Sequence, residues 1–596
     1  LVTDKTMLES HLNYEIGTLL KASFLFLNEQ TQDIVLSAIL TLHNDKNINE
    51  NPLILSARAA LLSLIPAYLR SPDAQAMLAS SESEYGSCIP EPYIGSWGGT
   101  ISAPFSYEQF LECSDAVVLS LLLHYANDEI GNWERRSLIG GAEQVKWQLR
   151  EASSISPVRF MRLLSEHWLH IPDRFTDDIL DGAATYLAYR FGNHQPSNNQ
   201  WKPIEEPDPQ VLASLILDEL EQHSARWHHC RAAANALKAC ASVIHDEQDA
   251  SRLLFIAIGF LNFWETENDW DDLIGVGINM ARGNAAEAVI IIATNWAEKR
   301  RQFPELLVPT IRRFARDPSP AIRALILHWL PDFQSHAQEL GWEIFHLALE
   351  ESDERLWVIA EPCLYYAYHN QFAQVSLILE RIVTSANGKG LETWGRISAL
   401  AAFLGHVDIN DFVAKLESLG SADAWKGAAS VWTYHENVAQ QREQCFLGLV
   451  RGLQQSGEIA TAIALEMDSL FQKSESITYV SQEIVNLYFS AIEQKKSDDH
   501  FSLYGFDDWL NALSLNKPDE AIAAAERFAD FVLHTNHHFY IFEALSQLLT
   551  RLFREAEERE ESDDGAMLRR VIALQDRFLA VGVNGLHDWL RDAERP

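Results

Sequence analysis

The sequence predicts an all-α fold, an α-solenoid of stacked helical hairpins, and three observations predict it. Apolar residues recur at helical spacing along nearly the whole chain, and strand-type alternation is almost absent. The turn Asp317-Pro318-Ser319-Pro320-Ala321-Ile322-Arg323 stands between two helix-length apolar patterns and is partly echoed 36 residues later at Asp353. A chain of 596 residues exceeds what one compact core holds. A solenoid escapes that bound because each repeat touches only its neighbours. Apolar residues at 47% and 17 Trp give ample material to bury, so the chain should be folded nearly throughout.

Residues 6–43 read as one or two helices and 52–70 as another, opened by Pro52 and closed before Ser71-Pro72. From about 80 to 107 the sequence turns Gly-, Pro- and Ser-rich yet keeps aromatics, which predicts an ordered irregular insertion. Helices resume at 107–126, 138–151, 156–170 and 173–191. The stretch 192–209 holds four prolines and no apolar period, and places a boundary near 200. Hairpin rhythm follows at 210–223, 225–245, 249–265, 270–282, 285–300, 304–316, 320–332 and 336–350. Small side chains line 231–241 and permit close helix packing. Further helices read at 355–370, 372–385, 391–404, 408–419, 423–434, 438–455 and 457–472, then at 519–533, 538–559 and 564–580. The expected division is an N-terminal helical region 1–200, a helical-repeat solenoid 201–517, and a C-terminal helical cap 518–596.

Around the turn, Leu306, Leu307, Pro309, Ile311 and Phe314 make one amphipathic helix, and Ile322, Leu325, Ile326 and Leu330 a second. This layout resembles a HEAT repeat over one repeat length, roughly 35 to 40 residues. Asp317, Pro320, Arg323 and Asp353 hold the motif positions, although Ile359 stands where a second Arg would align. The resemblance implies a ladder of Asp and Arg side chains between neighbouring repeats, with one good rung legible. Trp394-Gly395 and Ala401-Ala402 give part of the C-terminal half a tetratricopeptide-like character, so the repeats are HEAT/TPR-like and degenerate.

Charge narrows the partners. The chain carries 84 Asp plus Glu against 47 Lys plus Arg, a formal net charge of −37. Nucleic acid is not expected, because phosphate neutralisation needs basic surface. The local basic run at Lys299-Arg300-Arg301, with Arg312-Arg313, reads first as solvated helix ends. A protein partner with a basic face fits better. Six cysteines lie scattered without Cys-x-x-Cys spacing, which predicts a reducing, cytoplasmic setting and no disulfide framework. No run of 18 apolar residues occurs, so no membrane span is expected. The chain opens at Leu1 without Met and reads as a piece of a larger polypeptide extended upstream.

Searches for chemistry return little. There is no phosphate-binding Gly-rich loop ending in Lys-Ser/Thr, no His-Glu-x-x-His and no Gly-x-Ser-x-Gly. His228-His229 diverge on a helix, His534 and His538 lack a third ligand, and the acids at 177–181 and 269–272 lack calcium-loop spacing. No catalytic residue, metal or cofactor is assigned. Aromatics beside acids are the better lead for partner contact. They are Tyr93 and Trp97 in the first insertion, Trp201 in the second, and Trp264 and Trp270 around Asp269, Asp271 and Asp272.

As a whole, an acidic helical-repeat array with expected upstream sequence resembles the C-terminal sensor of bacterial antiviral STAND ATPases, the NLR-like Avs proteins. That resemblance implies recognition of a phage protein such as the terminase large subunit or portal. It also implies oligomerisation through an upstream nucleotide-binding module that activates an effector. The alternative is a general HEAT-repeat scaffold in a cytoplasmic complex. A HEAT-fold enzyme of the DNA glycosylase or bilin lyase type is disfavoured by the charge and by the lack of a pigment-binding motif.

Overall fold

The structure is a computed structural model. It describes residues 13–42, 52–85, 102–126, 140–192, 201–263, 271–350, 353–385, 390–455, 457–471, 478–493, 505–535 and 543–580, with Leu8, Cys88, Ile89, Pro196, Glu265 and Gly388 besides. The fold is all-α: the described residues form α-helices and short 3-10 turns, and no strand. None of these helices is long and apolar enough to cross a membrane.

Packing divides the chain into two units, residues 1–102 with 132–140, and residues 103–131 with 141–596. The first unit contains α1 (Asn13–Ser23), α2 (Glu29–Leu40), α3 (Pro52–Ser63) and α4 (Pro72–Tyr85). Its own core gathers Leu20, Phe24, Val35, Ile39, Leu61 and Ile65. The buried Arg58 on α3 donates to Leu42 O at the end of α2, meeting a carbonyl that the helix leaves open.

The second unit opens with α5 (Tyr107–Glu112) and α6 (Asp115–Tyr125). It continues through α7 (Ala142–Ile155), α8 (Pro157–Glu166), α9 (Asp173–Phe191), α10 (Pro209–Gln222), α11 (Arg231–Ala241) and α12 (Glu247–Phe260). Next come α13 (Ala281–Glu298), α14 (Leu307–Ala315), α15 (Pro320–His336), α16 (Gln338–Ala348), α17 (Leu356–Ala367) and α18 (Phe372–Thr384). Then follow α19 (Leu391–Phe403), α20 (Ile409–Leu419), α21 (Ala422–Trp432), α22 (Arg442–Leu453) and α23 (Glu458–Phe471). The last are α24 (Gln482–Glu493), α25 (Phe506–Leu513), α26 (Pro518–Thr535), α27 (Glu543–Asp563) and α28 (Ala566–Ala580). Three helices, α4, α24 and α25, are additional to those read from periodicity, and α4 carries helix to Tyr85, past the point near 80 where an irregular stretch was expected.

From α7 onward the packing has one rule. Each odd-numbered helix packs on the next odd-numbered helix, from α7 to α27, and each pairs with the even-numbered helix that follows it. Even-numbered helices pack in order from α8 to α16 and from α20 to α28, and more loosely around α18. The result is a two-layer solenoid whose single apolar core runs between the layers, as hairpin stacking requires.

Small residues draw the odd layer together. Ala233, Ala234, Ala236 and Ala241 of α11 are buried between α9 and α13. At α19 and α21 the backbones touch: a Cβ on Gly395 would run into Ala424 O, and one on Gly427 into Glu392 O. Pro331 in α15 has no N–H for Leu327 O, and that carbonyl instead faces the Cys363 thiol at 3.7 Å.

The HEAT-like turn folds as an inter-repeat ladder, with one more rung than the sequence displayed. Asp317 accepts from Ser319 N at 2.9 Å and lies 3.6 Å from Arg282 of the preceding odd helix, both side chains being buried. Pro320 is the first residue of α15, where its missing N–H costs nothing. Arg323 donates to Ala348 O at 3.0 Å, at the end of α16. Asp353 grips its neighbour Arg355 at 2.8 Å, and that bond holds its carboxyl below the usual range, with Arg323 adding to the pull. The rungs therefore run Arg282 to Asp317 and Arg323 towards Asp353.

The proline-rich stretch around residue 200 lies inside the second unit. Trp201 Nε1 donates to Ser154 Oγ at 3.0 Å and Ile204 N to Ile155 O at 2.9 Å, so 201–204 is laid along the end of α7.

Candidate binding cleft

Five successive odd-layer helices, α7, α9, α11, α13 and α15, line one cleft of about 570 Å³. Its position follows from the small residues in those helices. Ala184 and Ala188 of α9 and Ala239 of α11 leave the middle of the layer low, while Trp329 of α15 and Phe191 of α9 stand above it, at 43% and 42% exposure.

At one end Arg150 of α7 bridges to Asp178 at 2.9 Å and Asp181 at 3.2 Å, both on α9. Burial pushes the Asp178 carboxyl up to about 6 against the opposing pull of Arg150, and raises Asp181 for the same reason. In the middle, Glu287 of α13 is a buried carboxylate, 2% exposed, with a partner for each oxygen. Lys238 of α11 donates to Oε2 at 2.6 Å and Trp329 Nε1 of α15 donates to Oε1 at 2.8 Å. One carboxylate thus ties three adjacent helices together and fixes both an ammonium and an indole at the cleft. Asp332 of α15 stands one helical turn beyond Trp329, and Glu298, about three turns beyond Glu287 on α13, closes the far end; both are exposed.

Of the partner-contact residues expected from sequence, the described ones, Trp201, Asp271 and Asp272, do not line this cleft. Tyr93, Trp97, Trp264, Trp270 and Asp269 lie outside the described residues. Trp201 packs edge-on against Tyr189 at 5.2 Å and, with its N–H on Ser154, serves to hold its loop to α7 and α9. Asp272 caps the short helix Leu273–Ile278 through Gly275 N at 2.9 Å, and Asp271 is exposed beside it. The basic run is dispersed: Arg312 pairs with Glu343, Arg316 with Glu350, and Lys299 and Arg301 turn to His245.

The other sequence leads resolve into packing. Cys240 and Cys363 are buried thiols held far above their ordinary pKa by burial, and Cys445 is pushed up to about 12. His228 and His229 meet edge to face at 4.7 Å, and His534 binds Asp530 O. Among the described residues, no group of three or more His, Cys, Asp or Glu could hold a metal ion.

The cleft residues escape motif searches because they are brought together from five helices. Trp329 gave no signal either: it stands four residues after Leu325, three after Ile326 and four before Phe333, on the apolar stripe of α15 itself, where periodicity predicts burial rather than the 43% exposure it has. Compared with known proteins, the chain matches no protein-family model and no curated protein, so the fold and this cleft are the ground for its functional reading.

Proposed function

We propose that this chain is a protein-recognition module that reads its target through the odd-layer cleft and performs no catalysis itself. The observation that carries the reading is a cleft shared by five consecutive helices of one solenoid layer, the kind of extended surface on which repeat proteins bind their partners. The net charge of −37 favours a partner with a basic face over any polyanion, and would speed its encounter. On the resemblance set out above, the module acts in the cytoplasm as the target-binding part of a larger bacterial antiviral STAND ATPase. Its target is a phage protein such as the terminase large subunit or portal, and binding promotes oligomerisation through an upstream module.

Direct binding tests this reading. Purified terminase large subunit and portal from several tailed phages are titrated against the chain at two salt concentrations. The expected result is saturable binding of one of them that weakens as salt rises. Failure of every phage protein, together with stable recovery of the same host proteins from infected and uninfected lysates, would replace the sensor with the scaffold.

A further inference from the structure

We infer that the cleft takes an extended protein segment and seats one of its basic side chains, Arg or Lys, on the Trp329 indole beside Asp332. This rests on the protein-recognition reading and names the chemistry of what is recognised.

Donor accounting is the first ground. The hydroxyls of Thr185, Thr294 and Ser242 donate within their own helices, to Asp181 O, Ile290 O and Lys238 O. Asn284 donates to Ile278 O and Met280 O, Asn295 to Ala241 O, and Trp329 to Glu287. What these groups still offer is chiefly acceptor oxygen. The unused N–H groups of Arg150 and Lys238 lie at the other end and the middle of the cleft, so a donor-rich group suits the Trp329 end, where a guanidinium brings five donors with no acceptor and an ammonium three. Backbone N–H groups of an extended segment supply the rest.

Charge is the second ground. The cleft's two cations are already met by carboxylates, Arg150 by Asp178 and Asp181, and Lys238 by Glu287. Glu298 and Asp332 have no ion pair among the described residues, and both are exposed. The lining also reaches the C-terminal ends of α9, α11 and α13 at Gly192, Ser242 and Glu298, where helix carbonyls add partial negative charge. Lys299, which follows Glu298, is outside the lining and turned to His245.

The third ground is Trp329 itself. Its N–H is tied to a buried carboxylate while 43% of the residue stays exposed, so the ring is ordered before anything binds. A preorganised aromatic face one helical turn from the exposed Asp332 carboxylate suits a cation, and ordering costs on binding are reduced.

The test uses the full chain and fluorescein-labelled nonapeptides of Gly and Ser with a central Arg, Lys, norleucine or Glu, read by fluorescence anisotropy. The Arg and Lys peptides should bind, with norleucine and Glu at least about tenfold weaker. Both W329A and D332N should weaken the Arg peptide by about tenfold, with unchanged helical circular dichroism. Equal binding of norleucine and Arg, no binding of any peptide, or full binding by D332N would overturn the assignment. Retained phage-protein binding by both variants would sink this cleft assignment while leaving recognition intact. Peptide binding without any phage-protein binding would do the reverse.

Discussion

Glu219 on α10 is a carboxyl with almost no access to water, 2% exposed. Its Oε1 accepts from Trp227 Nε1 at 3.2 Å, its Oε2 has no hydrogen-bond partner, and His223 Nε2 stands 4.0 Å away. Burial pushes Glu219 up to about 7 and lowers His223, whose ring stacks on Trp168 at 3.8 Å. Both groups are therefore favoured in their neutral forms. A carboxyl raised from 4.5 to about 7 stabilises the fold fully below its unfolded value. That contribution is lost as pH rises through the folded value. Glu219→Gln keeps the shape and the oxygen that meets Trp227 but removes the titration. The gap between wild type and E219Q in urea unfolding should change by about 2 kcal/mol from pH 5 to pH 8, in favour of E219Q. Parallel pH profiles for the two proteins would show that Glu219 does not titrate this way.

Elements are held to one another by two kinds of charged contact that differ greatly in worth. On the surface, Arg252 gathers Asp218 and Glu221, and Arg451 pairs with Glu417, each joining successive even helices at small net gain. Asp317 in the turn before α15 and Arg282 on α13 are 3% and 2% exposed, and removal of one leaves the other's charge buried. Asp317→Ala should destabilise the second unit by about 3 kcal/mol, and Arg451→Ala by less than about 1 kcal/mol, in paired urea denaturations. Equal small effects would show that the ladder carries no special load. Asp317, Arg323 and Asp353 were legible in the sequence as one turn and its echo. Arg282 was not, because it precedes Arg323 by 41 residues rather than 36, and a motif search at fixed period passes over it. The helical periods of α7 to α23 were readable for the same reason that the solenoid folds, since each helix must bury one stripe locally. The cleft was not, because Lys238, Glu287 and Trp329 meet only when three helices lie side by side, and no local pattern encodes that.

For the whole second unit, stability is a chain of neighbour interfaces rather than one core, so different stretches can open at different denaturant concentrations. The interface of α19 with α21 is the closest of these, backbone against backbone at Gly395 and Gly427, and leaves no volume for a methyl group. Gly427→Ala forces the two helices apart, a strain of about 1–3 kcal/mol at one interface. Intrinsic helix propensity works in the other direction, since Ala in a helix is favoured over Gly by up to about 1 kcal/mol. The two effects can be told apart by where they act. A propensity gain would protect α21 and leave the coupling of its neighbours unchanged, while the clash would weaken the link between α7–α19 and α21–α28. Hydrogen exchange followed by mass spectrometry across a urea series reads this directly. In wild type, peptides on both sides of the interface should lose protection at closely similar urea. In G427A the α21–α28 peptides should open at lower urea than the α7–α19 peptides, and the cleft, built wholly from α7 to α15, should keep its peptide binding. Coincident opening on both sides in G427A would mean that the stack transmits strain beyond nearest neighbours, and loss of peptide binding would mean that the cleft depends on distant repeats.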